Sequence, residues 1–168
     1  MTQPEGKTLT LTRGARNTYV LHGGAQPAIL ELSSWRSRAQ ASVAGQSYEL
    51  TMSGFLDRAA CARRPGQEQP IIRIGRKSCV LPAAGACEWR MRGRWRGYEA
   101  TLRVEELGEI DVYVSRRNRS DVVAQVHGNW PARDLIVLTA AFALLVRRRD
   151  DASASAAGAA TIAGASTS

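Results

Sequence analysis

The residues best suited to chemistry lie in CEWRMRGRWRGY, from Cys87 to Tyr98. Arg90, Arg92, Arg94 and Arg96 recur at every second position, with Trp89 and Trp95 among them. Alternate residues of a β-hairpin share a face, so this spacing predicts one cationic stripe. Guanidinium forks match phosphate oxygens, and tryptophan suits the headgroup layer of a membrane. The competing reading is a solvated face, with the tryptophans packed inward or against arginine stems. Arg116, Arg117 and Arg119, around Asn118, form a second basic turn of the kind loops often carry. The candidate site for an anionic headgroup is therefore Arg90, Arg92, Arg94, Trp95 and Arg96, joined by Arg116, Arg117 and Arg119.

The formal net charge of +8 supports such a partner, because basic surfaces attract phosphate-bearing ligands. The charge is spread along the chain rather than blocked, so arginine-rich composition is the plain alternative. No nucleic-acid-reading motif accompanies it. No Ser-His-Asp signature, phosphate-cradling glycine loop or helix-borne metal motif occurs. His22 and His127 lie far apart without partners at metal-ligand spacing. The expectation is a non-enzymatic protein with no cofactor and no metal. Cys61, Cys79 and Cys87 are odd in number and make no C-x-x-C pair, which argues against a disulfide framework or a zinc site. They read as small buried apolar residues. The start MTQPEGK lacks the charged and apolar pattern of a signal peptide, so the expected compartment is the cytosol.

Short strands must position these groups. From Lys7 to His127 apolar and polar residues alternate, as in Leu9 and Leu11 against Thr8, Thr10 and Thr12. Tyr98, Ala100, Leu102 and Val104 alternate with Glu99, Thr101 and Arg103, and Ile110, Val112 and Val114 with Asp111 and Tyr113. A period of two marks strands with one buried face. Turn signals such as Gly23-Gly24, Ala44-Gly45 and Ser53-Gly54 separate them, and weaker segments bring the total to about twelve strands. Regular short strands suggest an up-and-down meander, closed to remove its edges.

One segment differs. PARDLIVLTAAFALLVRRR, Pro131 to Arg149, is apolar all round a helix wheel between Leu135 and Val146, with Thr139 the one polar side chain there. Such a helix must be surrounded by lipid or by protein. Twelve residues span roughly 18 Å, against a bilayer core of about 30 Å. The length favours a core helix over a tail anchor, although Arg147, Arg148 and Arg149 fit a membrane flank as well as a helix C-terminus. A barrel of about twelve strands is too wide for its own side chains to fill, and a helix about 10 Å across fills it. Residues 1–6 read as a disordered leader. Residues 7–150 read as one barrel with its central helix at 131–149, and residues 151–168 as a disordered Ala/Ser/Gly-rich tail.

This layout, the hairpins SSWRSRAQASVAGQSYEL and CEWRMRGRWRGYEATL, and the ending NWPARDLIVLTAAFALLVRRR resemble the tubby C-terminal-like superfamily. That superfamily includes the LURP-one-related proteins, the phospholipid scramblases and small bacterial relatives. The resemblance implies a twelve-stranded antiparallel barrel threaded by a hydrophobic C-terminal helix. It also implies peripheral contact with phosphoinositide-like headgroups. No family motif maps residue by residue, so no site is carried over. The absence of an Asp-x-Asp run argues against calcium-linked scramblase activity. The leading expectation is a barrel binding anionic phospholipid or phosphate on its basic exterior. A structural or protein-interaction barrel and a tail-anchored membrane protein are the alternatives.

Overall fold

The structure, a computed structural model, describes residues 6–34, 37–117 and 120–164, with side chains described as far as Gly158. Twelve strands precede one helix. They are β1 (Lys7–Arg13), β2 (Thr18–His22), β3 (Ala28–Leu32), β4 (Arg38–Val43), β5 (Gln46–Ser53), β6 (Ala59–Arg63), β7 (Ile72–Gly75), β8 (Cys79–Val80), β9 (Cys87–Arg94), β10 (Gly97–Val104), β11 (Gly108–Ser115) and β12 (Val122–Gly128). The helix, α1, is Arg133–Gly164. The expected mainly β barrel with a central C-terminal helix is thus the observed architecture.

The strands form one sheet in the order β8-β7-β6-β5-β4-β3-β2-β1-β12-β11-β10-β9. Every pair is antiparallel. β1 meets β12 from Lys7 opposite Val126 to Leu11 opposite Val122, which joins the two ends of the meander. The sheet therefore curls into a nearly closed barrel, and its opening lies between β8 and β9.

The alternating pattern turns one side chain in two inward. Leu9, Leu11, Leu30, Leu50, Leu102, Ile110, Val112, Val114 and Val122 are buried on the inner face. Against them lies α1, whose residues Leu135 to Val146 are buried on every side. Thr139 is no exception, because its hydroxyl donates to the Leu135 carbonyl one turn back at 2.8 Å. Space for the helix comes from small residues on neighbouring strands: Ala39 and Ala41 on β4, Ala60 and Ala62 on β6. Each large apolar side chain buried here contributes about 1.5–3 kcal/mol before entropy costs. Among the described residues, no helix is long and apolar enough to cross a membrane.

Polar contacts fix the helix at both ends of the barrel. At its start the buried Asp134 carboxylate accepts the backbone N–H groups of Ala25 and Gln26, at 2.9 and 3.3 Å, and is paired with Arg133 at 3.1 Å. Gly24 lets the β2–β3 loop approach this closely: a Cβ there would lie 2.9 Å from Asp134 Oδ2. At the far end, Arg148 donates to the carbonyls of Ser115 and Arg117, to Ser120 Oγ and to the Tyr19 hydroxyl. Arg149 donates to the Ser33 carbonyl at 3.0 Å, Asp150 pairs with Arg58, and Asp151 accepts from the Tyr98 hydroxyl at 2.7 Å. Arg148 and Arg149, which also fit a membrane flank, instead tie the helix to the rim it leaves by.

Two expectations need correction. The helix does not stop at Arg149; it continues through most of the segment expected to be a disordered tail, to Gly164. Alanine has the best helix propensity, and nothing from Asp150 to Gly164 removes a backbone donor as proline would. Residues 165–168 lie outside the described residues, as does the leader as far as Glu5. Second, two of the cysteines are not inert apolar residues: Cys79 and Cys87 form a disulfide, with Cα atoms 5.8 Å apart. Spacing in the chain did not suggest it. The short β8 and the start of β9 bring the two side chains together across the barrel's opening. Cys61 is free and buried, as expected. A persisting disulfide belongs to an oxidising compartment and pulls against the cytosolic expectation.

Candidate anionic-ligand rim

All neighbouring strands are antiparallel, so alternate connections fall at the same end of the barrel. The connections after β1, β3, β5, β7, β9 and β11 share the rim where α1 leaves. Those after β2, β4, β6, β8 and β10 share the rim where α1 starts. Charge divides accordingly. Among the described residues, the exit rim carries Arg16, Arg58, Arg76, Lys77, Arg96, Arg116 and Arg117 against Asp57 and Asp121. The opposite rim carries Arg64 against Glu68, Glu105 and Glu106 in its connections. Charge that is spread along the sequence is gathered by the meander at one end.

Apolar exposure follows the same division. Phe55, Leu56 and Trp95 are 96%, 94% and 92% exposed, far more than any other large apolar side chain described. Phe55 and Leu56 stand in the β5–β6 connection and Trp95 in the two-residue turn between β9 and β10, all on the exit rim. The β7–β8 connection, with Arg76 and Lys77, lies between them around the rim. No described residue forms an ion pair with Arg16, Arg76, Lys77, Arg96 or Arg117.

The predicted stripe on β9 is only partly assembled. Glu88, Arg90, Arg92 and Arg94 alternate with the buried Trp89 and so lie on the outer wall. Arg96 is not on that face; it occupies the turn beside Trp95, because the hairpin reverses between Arg94 and Gly97. Arg90 pairs with Glu88 at 2.5 Å and Arg94 with Glu99 at 2.6 Å. The Glu99 hydrogen bond and charge raise the Arg94 pKa further above its ordinary value. Arg90 and Arg92 share a shallow outer cleft with Glu88, Glu99, Arg103 and Glu109. The wall is a mixed-sign surface, whereas the rim is a cationic one. Of the second cluster, Arg116 lies over the Tyr98 ring, 4.9 Å from its centroid, and donates from Nε to the Arg94 carbonyl at 2.8 Å. Arg117 is exposed on the rim. Arg119 lies outside the described residues.

Sequence reasoning by local spacing therefore finds Trp95, Arg96, Arg116 and Arg117 but misses Arg16, Phe55, Leu56, Arg76 and Lys77. The signal that collects them is parity. Sorting the connections of an up-and-down meander into odd and even places all nine at one end. Comparison with protein-family models, with curated proteins and with solved structures gives no match to this chain.

Proposed function

We propose that this protein is a non-enzymatic barrel that docks end-on to an anionic phospholipid surface through its exit rim. The supporting observation is the coincidence, on one rim, of the three most exposed large apolar side chains among the described residues with cations between and beside them that no described residue pairs. Tryptophan and phenylalanine favour the membrane interface, and each arginine or lysine near an anionic leaflet contributes about 1 kcal/mol. Scattered surface apolar residues are ordinary; three on two odd connections of one rim, with the cationic β7–β8 connection between them, form a docking face. The continuing part of α1 is compatible with this orientation, since the chain carries no charge from Ala152 onward. The acidic opposite rim would then face away from the membrane. The likeness to tubby-like barrels, which rests on layout, fits the same reading.

Co-sedimentation with vesicles tests it. Phosphatidylcholine vesicles containing phosphatidylserine should recover the protein at 0.1 M salt, and pure phosphatidylcholine vesicles should not. Equal recovery with both would favour a structural or protein-interaction barrel instead.

A further inference from the structure

Beside the emerging helix, the exit rim holds a cleft of about 450 Å³. Arg13, Arg116, Arg148 and Arg149 line it, and among the described residues no carboxylate does. The outer-wall clefts instead combine arginine with glutamate. Asp121, on the β11–β12 connection, accepts from the Arg13 backbone N–H at 3.2 Å rather than from its guanidinium. Asp150 is paired with Arg58, and Asp151 is taken by the Tyr98 hydroxyl and by Arg147 one turn back on the helix.

The four guanidiniums are held in place rather than trailing in solvent. Arg13 donates to Asn17 Oδ1 at 3.1 Å. Arg116 is fixed by the Tyr98 ring and the Arg94 carbonyl. Arg148 and Arg149 are fixed by carbonyls and hydroxyls of three rim segments. Every one of these partners is neutral, so the contacts orient the charges without cancelling them. Leu32, Leu145 and two helix alanines also line the cleft and give it an apolar side.

We propose that this cleft is a specific site for a phosphomonoester, the terminal phosphate of an anionic lipid headgroup. A phosphomonoester carries about −1.5 to −2 charge at neutral pH and three terminal oxygens that several guanidinium forks engage together. A phosphodiester offers a single charge and answers only part of a fourfold cationic site. The apolar side accommodates the body that bears the phosphate. The assignment rests on the membrane-docking reading for the ligand's source, since the same chemistry also fits a free phosphomonoester.

The test separates the two sources and uses the full chain. Ser153 lines the cleft from the helix, so Ser153→Asp adds a carboxylate there while leaving all four arginines in place; Ser153→Asn is the uncharged control. Binding of glycerol 3-phosphate is measured by titration calorimetry. Binding to vesicles containing phosphatidic acid or phosphatidylserine, matched in surface charge, is measured by sedimentation. The wild type should bind glycerol 3-phosphate saturably and prefer phosphatidic acid vesicles at least tenfold. S153D should lose both properties while its affinity for phosphatidylserine vesicles falls by no more than about tenfold, the added charge alone being worth about fivefold, and S153N should behave as the wild type. Saturable glycerol 3-phosphate binding with no vesicle binding would retain the cleft, assign it a free ligand and remove the docking reading. Vesicle binding without preference, together with no glycerol 3-phosphate binding, would remove the cleft and leave the docking reading standing. An S153D protein whose phosphomonoester binding is unchanged would overturn the site outright.

Discussion

Cys79 and Cys87 are bonded across the opening of the barrel, joining β8 to β9, the strands at the two ends of the hydrogen-bonded order. Hydrogen-bond ladders hold successive neighbours from β8 through β1 and β12 to β9. At the remaining junction the disulfide takes over that role.

Opening this bond should loosen the barrel at one place. The loop it closes is short, 8 residues in sequence separation, for which chain entropy gives about 2–3 kcal/mol. For a domain of this size, thermal unfolding should fall by roughly 5–10 °C with dithiothreitol or in Cys79→Ser/Cys87→Ser. Calorimetric scans with and without reductant check it. Coincident scans would mean that the β8–β9 junction contributes nothing to cooperative stability.

A second consequence concerns the opposite rim. Asp134 is buried and accepts two backbone N–H groups from the β2–β3 loop. Asp134→Ala would remove the shared acceptor of both donors; Ala25 and Gln26 lie in an exposed loop where water can take its place, so the cost is the ordinary net value of about 0.5–1.5 kcal/mol per hydrogen bond. Asp134→Asn keeps one acceptor oxygen and should cost less. Urea midpoints of the two variants should fall in that order, and a reversed order would show that the charge rather than the acceptor matters.

How much of this was legible without coordinates depends on the range over which the signal acts. The alternation of Leu9 and Leu11 or of Val112 and Val114 is local, and it predicts strands because a pleat turns every second side chain inward. The uniform apolarity of Leu135–Val146 predicts its surroundings for a similar reason: a helix without a polar face has no side to give to water. The disulfide was not legible, because Cys79 and Cys87 meet only where the two ends of the sheet come together. The length of α1 escapes the sequence pattern because alanine, serine and glycine are common in unstructured tails, while of the three alanine alone is a strong helix former. The spacing of Arg90, Arg92, Arg94 and Arg96 predicts one face because the position of the turn at Trp95–Arg96 is not written in it. The cationic cleft at Arg13, Arg116, Arg148 and Arg149 draws on three separate segments, β1, the β11–β12 connection and α1, so no window of sequence contains it.

Tyr98 gives an alkaline signature. Its hydroxyl donates to Asp151, and burial, with that hydrogen bond next, raises its pKa above the ordinary tyrosine value. The folded protein therefore keeps the phenolic proton at pH values where the unfolded chain, near about 10, has begun to lose it. The Tyr98 contribution is full below that pH and is lost as pH rises through the raised folded value. Tyr98→Phe lacks the hydrogen bond and the titration alike. Wild type should exceed Y98F by about 1 kcal/mol or somewhat more between pH 7 and 9, and the gap should narrow by pH 11. Urea denaturation across this range measures it; a gap that stays constant to pH 11 would show that the phenol does not titrate differently in the fold.

The rim and the wall make opposite predictions for the arginines of a single hairpin. Arg96 stands in the turn beside the exposed Trp95, and Lys77 stands on the neighbouring odd connection. Arg90 lies on the wall, five to six residues below the turn tip, which at about 3.3 Å per residue is roughly 15–20 Å away. That exceeds the Debye length of about 10 Å at 0.1 M salt. Arg90 is also paired with Glu88, and Arg103 faces Glu109 at 4.0 Å. Two double variants with the same loss of formal charge should therefore separate. Lys77→Gln/Arg96→Gln should weaken binding to phosphatidylserine vesicles about 30-fold, at about 1 kcal/mol for each cation brought to the surface. Arg90→Gln/Arg103→Gln should stay within about threefold of the wild type. Replacing Phe55 and Trp95 by serine should weaken binding further without lowering the melting temperature, because both side chains are already in solvent. Equal losses from the two arginine and lysine pairs would mean that net charge alone drives association and that the barrel approaches the membrane in no fixed orientation. A larger loss from the wall pair would move the docking face to β9 and β10.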